Sequence, residues 1–291
     1  MLQGSALPET RFQARQVCAK SVSRQTRQVK KTSAGVSLFR SKNRIVLAKY
    51  LIYRFHMTIR HVIRKIPWSQ VRDQLYGAGF SSLGTLLDEG TCNAISGWYD
   101  NDNLFRSRIE MARYRFGKGE YKYFAYPLPG IVAELREALY RGLAPIASEW
   151  MRDLGQPKEF PPDLESFLKL CHSSGQKRPT PILLQYRAGD FNCLHQDLYG
   201  DLFFPFQVIF ALSQRGKHYD GGELVLVEQR PRAQNTPHVI VPQRGEAIAI
   251  TTRYRPVKGS RGFYRANVRH GVSALHTGSR HTLGILFHDA K

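Results

Sequence analysis

The chain has 291 residues, room for one large domain or two small ones, and an ordinary apolar share of 42%. No run of 18 apolar residues occurs, and the greasiest stretch, 45–59, is broken by Lys49 and Arg54, which excludes a hydropathic transmembrane helix and predicts no membrane partner. The formal charge is +20, and four scattered cysteines (Cys18, Cys92, Cys171, Cys193) without a Cys-x-x-Cys pair predict reduced thiols in a cytoplasmic setting.

The charge is uneven along the chain. Residues 1–56 hold 12 Lys/Arg against one acid, Glu9, and so carry +11 of the +20. They lack sustained periodicity and are rich in Ser, Thr and Gln. Three readings fit: a disordered basic tail that touches nucleic acid, an Arg-rich and acid-poor presequence, or a segment outside the natural protein, with translation starting at Met57. We prefer the third and set 1–56 apart from the fold as a basic, disordered extension.

Residues 57–178 read as a mainly helical support region. Trp68 to Gly77 is a short helix closed by glycine, and Thr91 to Trp98 suggests another. Ile131, Val132, Leu135, Leu139 and Leu143 recur at helical spacing after Pro129, and Pro161-Pro-Asp opens one more helix. Ser173 to Pro181 is a loop by composition.

Residues 179–291 change character. Short β-type runs follow one another: 182–186, 204–212, 223–227, 238–241, 246–251, 268–272 and 282–287. Many short strands without intervening helices imply a sandwich or barrel. The expected class is therefore α+β: a double-stranded β-helix (jelly roll) braced by the N-terminal helices.

The chemistry-bearing set lies in this second region. His195-Gln-Asp197 follows the run Pro181 to Tyr186, His270 lies 75 positions downstream, and Arg280 ten beyond that. Two imidazoles and one carboxylate on one face of iron(II) leave the opposite positions open. A guanidinium fork beside them suits the far carboxylate of a dicarboxylate co-substrate. His-x-Asp alone is weak: with 10 His and 11 Asp, about 0.4 such pairs arise by chance. A rival, His218-Tyr-Asp220, sits in turn chemistry before Gly221-Gly222 and reads as a hairpin turn. Strand alternation would put His195 and Asp197 on one face. The end of the chain reads as a strand through Val272, a turn at Thr277-Gly-Ser, and a return strand on which Arg280 and Thr282 share a face. Singly, His270 is more often a packed histidine and Arg280 a solvated arginine; order and spacing together favour a site.

At these residues the chain resembles the iron(II)/2-oxoglutarate dioxygenases. The resemblance covers Pro181 to Lys291 through Tyr-x-x-Gly-Asp190, Gly221-Gly-Glu-Leu224 and His270-Gly-Val…Gly-x-Arg280, a pattern shared with prolyl 4-hydroxylase-like enzymes. Arg115-Phe-Gly-Lys-Gly-Glu-Tyr-Lys-Tyr-Phe124 and Arg280 to Asp289 are closer to a bacterial oxygenase group described as acting on alkylated, damaged DNA, and extend the likeness over most of Met57–Lys291. It implies Fe(II) on His195, Asp197 and His270, with 2-oxoglutarate and O2 as co-substrates. It also implies Arg280 and Thr282 at the co-substrate, and release of succinate and CO2 as a substrate C–H is hydroxylated. Tyr186 has two readings, a contact to co-substrate or target, and a packed strand tyrosine.

Two segments interleave cations and aromatics, as a nucleic-acid groove requires. One is Arg106 to Tyr126. The other reads as a long loop before His270, with Arg253, Tyr254, Arg255, Arg261, Tyr264 and Arg265 as candidate substrate contacts at the cavity mouth. A solvated cationic surface is the bland alternative. The expected partner is nucleic acid, DNA before RNA, and the expected reaction is oxidative demethylation of an alkylated base. A protein (prolyl) hydroxylase is the alternative, and a non-catalytic cupin-like binder is third.

Overall fold

The structure, a computed structural model, describes residues 59–156 and 158–291. The readings made for 1–56 fall outside the described residues. Residues 59–64 are helical and bury Ile59 and Ile63. The elements that follow are α1 (Trp68–Ala78), β1 (Phe80–Thr85), α2 (Glu89–Gly97), β2 (Phe105–Glu110), β3 (Gly117–Lys118), β4 (Glu120–Phe124), α3 (Gly130–Asp153) and α4 (Leu164–Ser173). Ten strands complete the chain: β5 (Ile182–Arg187), β6 (Phe191–His195), β7 (Phe206–Ala211), β8 (Tyr219–Gly221), β9 (Leu224–Gln229), β10 (Thr236–Ile240), β11 (Glu246–Thr251), β12 (Tyr254–Gly259), β13 (Gly262–Val272) and β14 (Leu275–Leu286). Asp88 and Asp163 cap α2 and α4 by accepting from the Thr91 and Ser166 amides at 2.7 and 2.8 Å.

Two antiparallel sheets form the sandwich. The larger has the order β1-β11-β7-β14-β5-β4-β2, with β8 beside β14; the smaller has the order β10-β9-β13-β6-β3, with β12 beside β13. Strand alternation sorts side chains between two buried layers. On the larger sheet Leu183, Phe206, Val208, Phe210, Ala247, Ala249, Leu283 and Ile285 join the helix-side core with Leu135, Leu139, Leu143 and Trp150 of α3. The opposite parity faces the smaller sheet: Ile209, Ile248 and Ile250 pack with Leu224, Leu226, Ile240 and Val268. The α+β sandwich expected from the strand runs is the architecture observed.

Three expectations require correction. The region 57–178 is mainly helical but not only a brace: β1, β3 and β4 pair with β11, β6 and β5, so its strands belong to both sheets. The turn after His270 lies at Ser273-Ala274, not at Thr277-Gly-Ser, which sits inside β14. Gly278 there has φ +76°, and a Cβ on it would lie 2.0 Å from the His218 carbonyl oxygen. It mimics turn chemistry in sequence while serving a close strand approach. The supposed loop 253–269 is a hairpin, β12 paired to β13 from Tyr254↔Asn267 to Gly259↔Gly262.

Buried ion pairs tie the layers together. Arg136 of α3 is 1% exposed; it pairs with Asp289 at 2.8 Å and donates to the Leu286, Phe287 and His288 carbonyls, fastening α3 to the end of β14. Arg255 is 3% exposed, makes a two-nitrogen contact to Glu228 of β9, and donates to the Tyr76 carbonyl of α1. Burial opposes the charge of Glu228, but Arg255 and Arg230 outweigh it and hold the carboxyl below its ordinary value. Removing Arg255 leaves the buried Glu228 carboxylate with Arg230 on one oxygen only, so Arg255→Ala is expected to cost about 3 kcal/mol, the low end for a broken buried pair, in urea unfolding at pH 7. Because the folded-state pKa of Glu228 is lowered, its contribution is complete above the unfolded carboxyl's pKa, about 4.3. It is lost as pH falls through the lower folded value. Unfolding midpoints of wild type and Arg255→Ala are therefore expected to converge below about pH 4.

Candidate metal centre

His195 ends β6, and His270 lies directly across from it on β13. The register shifts between His195↔His270 and Asn192↔Val272, so three steps on β6 match two on β13. This bulge turns both Asn192 and His195 into the cavity, which strict alternation would forbid for positions three apart. Asp197 is not on a strand; it lies two residues beyond the end of β6. The alternation argument for the His195–Asp197 pair is thus corrected: Asp197 is brought in by its hydrogen bonds, not by strand parity. Tyr199 donates to Asp197 Oδ1 at 2.7 Å and Gln207 donates to Oδ2 at 2.8 Å.

The three side chains converge. His195 Nε2 is 3.5 Å from Asp197 Oδ1, His270 Nε2 is 3.2 Å from Oδ2, and the ring centroids are 4.3 Å apart. One ligand atom from each lies within 4.8 Å of the others. His195 Nδ1 contacts the Cys193 carbonyl at 2.8 Å. A carbonyl only accepts, so Nδ1 carries the proton of the neutral ring and Nε2 is the atom that faces Asp197 and would take a metal. Burial disfavours charge on all three, and each resolves it differently. The imidazoles beside Asp197 overcome that penalty and hold its carboxyl well below the usual range. Burial lowers His195 but Asp197 outweighs it and raises the imidazole, whereas burial and then the neighbouring His195 lower His270. An ionised carboxylate with a neutral second imidazole is a ready metal-ligand state.

The same cavity is lined by Tyr186, Arg280 and Thr282. Arg280 and Thr282 are each 3% exposed and share the inward face of β14, as expected. Arg280 Nη1, Thr282 Oγ1 and His270 Nδ1 are buried without a hydrogen-bond partner. The Arg280 guanidinium stands 5.6 Å from the Tyr186 ring centroid and 6.0 Å from that of Tyr219, and no acidic group lies within 4 Å of it among the described residues. Tyr186 itself is fully buried, and Asn192 reaches its hydroxyl at 3.4 Å.

His218, the rival, stands outside this set: its Nδ1 accepts from the Gln214 amide at 2.8 Å and closes a turn, and Asp220 pairs with Arg215. A roomier cleft of about 580 Å³ lies against α1 and α3, but Arg72 and Arg141 there are paired with Glu149 and Glu137, and it holds none of the triad. None of Arg253, Tyr254, Arg255, Arg261, Tyr264 and Arg265 lines the metal cavity. The hairpin tip at Gly262 is eight residues from His270, roughly 26 Å along an extended strand. Arg255 is committed to Glu228, while Arg265 donates to the Leu154 carbonyl and the Tyr254 carbonyl accepts from Trp150. The expectation that these residues stand at the cavity mouth is corrected for Arg255, Arg265 and the hairpin tip, while the Arg253 carbonyl accepts from Gln196 at 3.4 Å, between His195 and Asp197 in the chain. Sequence alone does not single out Gln207 or Tyr199. Gln207 carried a signal, a lone amide inside the fully buried strand Phe206–Ala211.

Replacing an orienting partner of a ligand commonly weakens metal binding 10–100-fold. Gln207→Leu and Tyr199→Phe are each expected to fall in that range in manganese(II) titration. His195→Ala is expected to abolish binding and His218→Ala to leave it intact.

The chain has likenesses to known proteins. Two Mycobacterium tuberculosis proteins, from strains CDC 1551 / Oshkosh and ATCC 25618 / H37Rv and both named only as uncharacterized, are 46% identical over 167 residues, 57% of this chain and 72% of theirs. A Pseudomonas putida prolyl-4-hydroxylase structure aligns with 77% of this chain and 100% of its own at 14% identity and TM-score 0.47. A Burkholderia pseudomallei oxidoreductase of the 2OG-Fe(II) oxygenase family aligns with 78% of this chain and 94% of its own at 15% identity and TM-score 0.46. These two structural likenesses are too distant to bear on the site. Residues 119–290, which hold all three triad residues and Arg280, match the family described as "Oxygenase, catalysing oxidative methylation of damaged DNA", and the chain belongs to that oxygenase family.

Proposed function

We propose that the protein is an iron(II)- and 2-oxoglutarate-dependent dioxygenase that oxidatively removes methyl groups from alkylated nucleic acid. One observation carries the co-substrate: Arg280 is buried in the triad's cavity with an unpartnered Nη1 and no carboxylate beside it. A buried guanidinium without a counter-charge is costly, and an anionic ligand supplies the missing charge. The orphaned Thr282 hydroxyl on the same face adds a donor to the same anion. Two imidazoles and one carboxylate are the donor set for non-haem iron(II).

Each residue then has a task. Arg280 and Thr282 hold the distal carboxylate of 2-oxoglutarate and so fix its keto-acid end toward His195, Asp197 and His270. Tyr199 and Gln207 keep both Asp197 oxygens aimed. The Cys193 carbonyl keeps His195 in its metal-binding tautomer. Iron(II) on the triad supplies the activation of O2. One O2 oxidises 2-oxoglutarate to succinate and CO2 and a substrate N–CH3 to N–CH2OH; the latter then breaks its C–N bond, returning N–H and formaldehyde. This direction is the one oxygenase chemistry allows, since delivering a methyl group is not an oxidation and requires a methyl donor. The net charge of +9 that residues 57–291 carry and the damaged-DNA description of the family support DNA as the polymer.

The test supplies the purified chain with iron(II), 2-oxoglutarate, methylated oligodeoxynucleotides and proline peptides, and follows products by mass spectrometry. Expected are succinate, formaldehyde and loss of one methylene from the oligonucleotide. Hydroxylation of the peptides alone would overturn the nucleic-acid reading and make the enzyme a protein hydroxylase. Arg280→Ala is expected to raise KM for 2-oxoglutarate by about two orders of magnitude, the scale of two lost charge-assisted hydrogen bonds. Oligonucleotide affinity is expected to fall steeply from 50 to 200 mM salt, and a flat profile would count against phosphate contacts.

A further inference from the structure

We propose that Tyr114 and Phe116 form a stacking platform for a nucleobase next to the target base, on a lip held beside the metal centre. The inference rests on the nucleic-acid reading above and names the residues that would position that substrate.

The lip, residues 111–119, links β2 to β4. Its Phe116 and Tyr114 rings stack on each other, with centroids 5.6 Å apart and planes 21° apart. They remain 47% and 50% exposed, the highest values among the large aromatics of the described residues. Burial drives aromatic rings inward unless something else covers them, and base–aromatic stacking is a covering that tolerates any base. Charge complements it: Arg113 and Arg115 flank the rings, and neither has an acidic partner within 4 Å among the described residues. Arg115 holds the left-handed conformation, φ +58°, uncommon for a residue with a side chain.

The lip is fixed rather than draped. β3 pairs with β6 at Gly117↔Asn192 and Lys118↔Phe191, and the Cys193 amide donates to the Phe116 carbonyl at 2.8 Å. Gly117 has φ +132°, and a Cβ there would lie 2.3 Å from the Phe191 carbonyl oxygen, so only glycine lets the lip sit this close. Inside the lip, Met111 and Gly119 bond across its base, and Phe116 bonds back to Met111. The pairing is antiparallel, so the chain before Gly117 runs toward His195. Phe116 lies opposite Cys193, two residues before the first metal ligand, or roughly 7 Å along the strand. At roughly 3.4 Å per stacked nucleotide, that is the reach of two or three nucleotides from the metal. The tip of the β12–β13 hairpin, with its own exposed Phe263 and Tyr264, lies far outside that reach.

The test measures equilibrium binding of the full chain, loaded with manganese(II) and 2-oxoglutarate, to a single-stranded oligodeoxynucleotide carrying one N-methylated base flanked by 2-aminopurine. Wild type is expected to change the 2-aminopurine fluorescence through stacking. Tyr114→Ala with Phe116→Ala is expected to bind about tenfold or more weakly and lose the change, whereas Tyr114→Phe with Phe116→Tyr keeps both. Photocrosslinking of wild type through iododeoxyuridine in the flanking position gives a readout independent of the variants' folding. Adducts on Tyr114 or Phe116 are expected, and adducts on Phe263 or Tyr264 instead would overturn the platform. If wild type binds and demethylates the oligonucleotide and the double alanine variant binds it equally well, the platform alone falls. If wild type binds no oligonucleotide at low salt, the functional reading falls and takes the platform with it.

Discussion

The structure depends on one constraint: each central strand must bury both faces, and each face has a different neighbour. Odd and even positions of β5, β11 and β14 part between the helix layer and the sandwich interior, and β7 divides the same way. The helix side is filled by leucine, phenylalanine and the length of α3. The interior is apolar at one end, around Ile248, Ile250 and Leu226, and polar at the other. Tyr186, Gln207, Arg280 and Thr282 are the interior-facing positions of three adjacent strands. Slipping any of these strands by one residue would turn its polar side chains into the leucine-rich layer. The packing of α3 therefore protects the register of the site as well as the stability of the sheet.

Buried charge separates scaffold from site. Arg136 and Arg255 are as buried as Arg280, yet the first is saturated by Asp289 and three carbonyls and the second by Glu228 and a carbonyl. Arg280, Thr282 and His270 instead leave polar atoms unpartnered in one cavity. Desolvating such atoms costs about 1–3 kcal/mol each. A chain that saturates Arg136 and Arg255 and leaves these three polar atoms together in one cavity has placed that cost where a ligand relieves it. The asymmetry argues for a dicarboxylate and a metal more strongly than any one distance does.

Legibility in sequence followed the same division. β11 is legible to its ends, β5 and β7 nearly so, and α3 from its start through Leu143, because their apolar residues recur with the period of their own structure. His195, His270, Arg280 and Thr282 were readable because order and spacing survive folding. Asp197 stands beside His195 and His270 as expected but for a different reason, since the bulge in β6 and the bonds from Gln207 and Tyr199 are non-local and leave no period behind. The strands β1 to β4 are not legible because they are short and polar on one face, and β1, β3 and β4 find partners far along the chain in β11, β6 and β5. Arg255 could not be told from Arg253 or Arg261, because the acid that claims it, Glu228, is 27 positions upstream.

The two basic-aromatic segments show where composition stops being informative. Both alternate arginine with tyrosine and phenylalanine, and charge alone would give them equal claim to a polyanion. Geometry does not treat them equally. In the hairpin, inward arginine and tyrosine groups are spent on α1, α3 and β9, and the exposed tip is carried away from the triad by its own strand length. In the lip, a two-residue strand and one glycine dock the backbone onto β6, so the rings stay outside while the chain runs toward His195. Whichever segment meets a polymer substrate must do so within reach of the metal. That distance is set by strand register, the one quantity that residue composition does not encode.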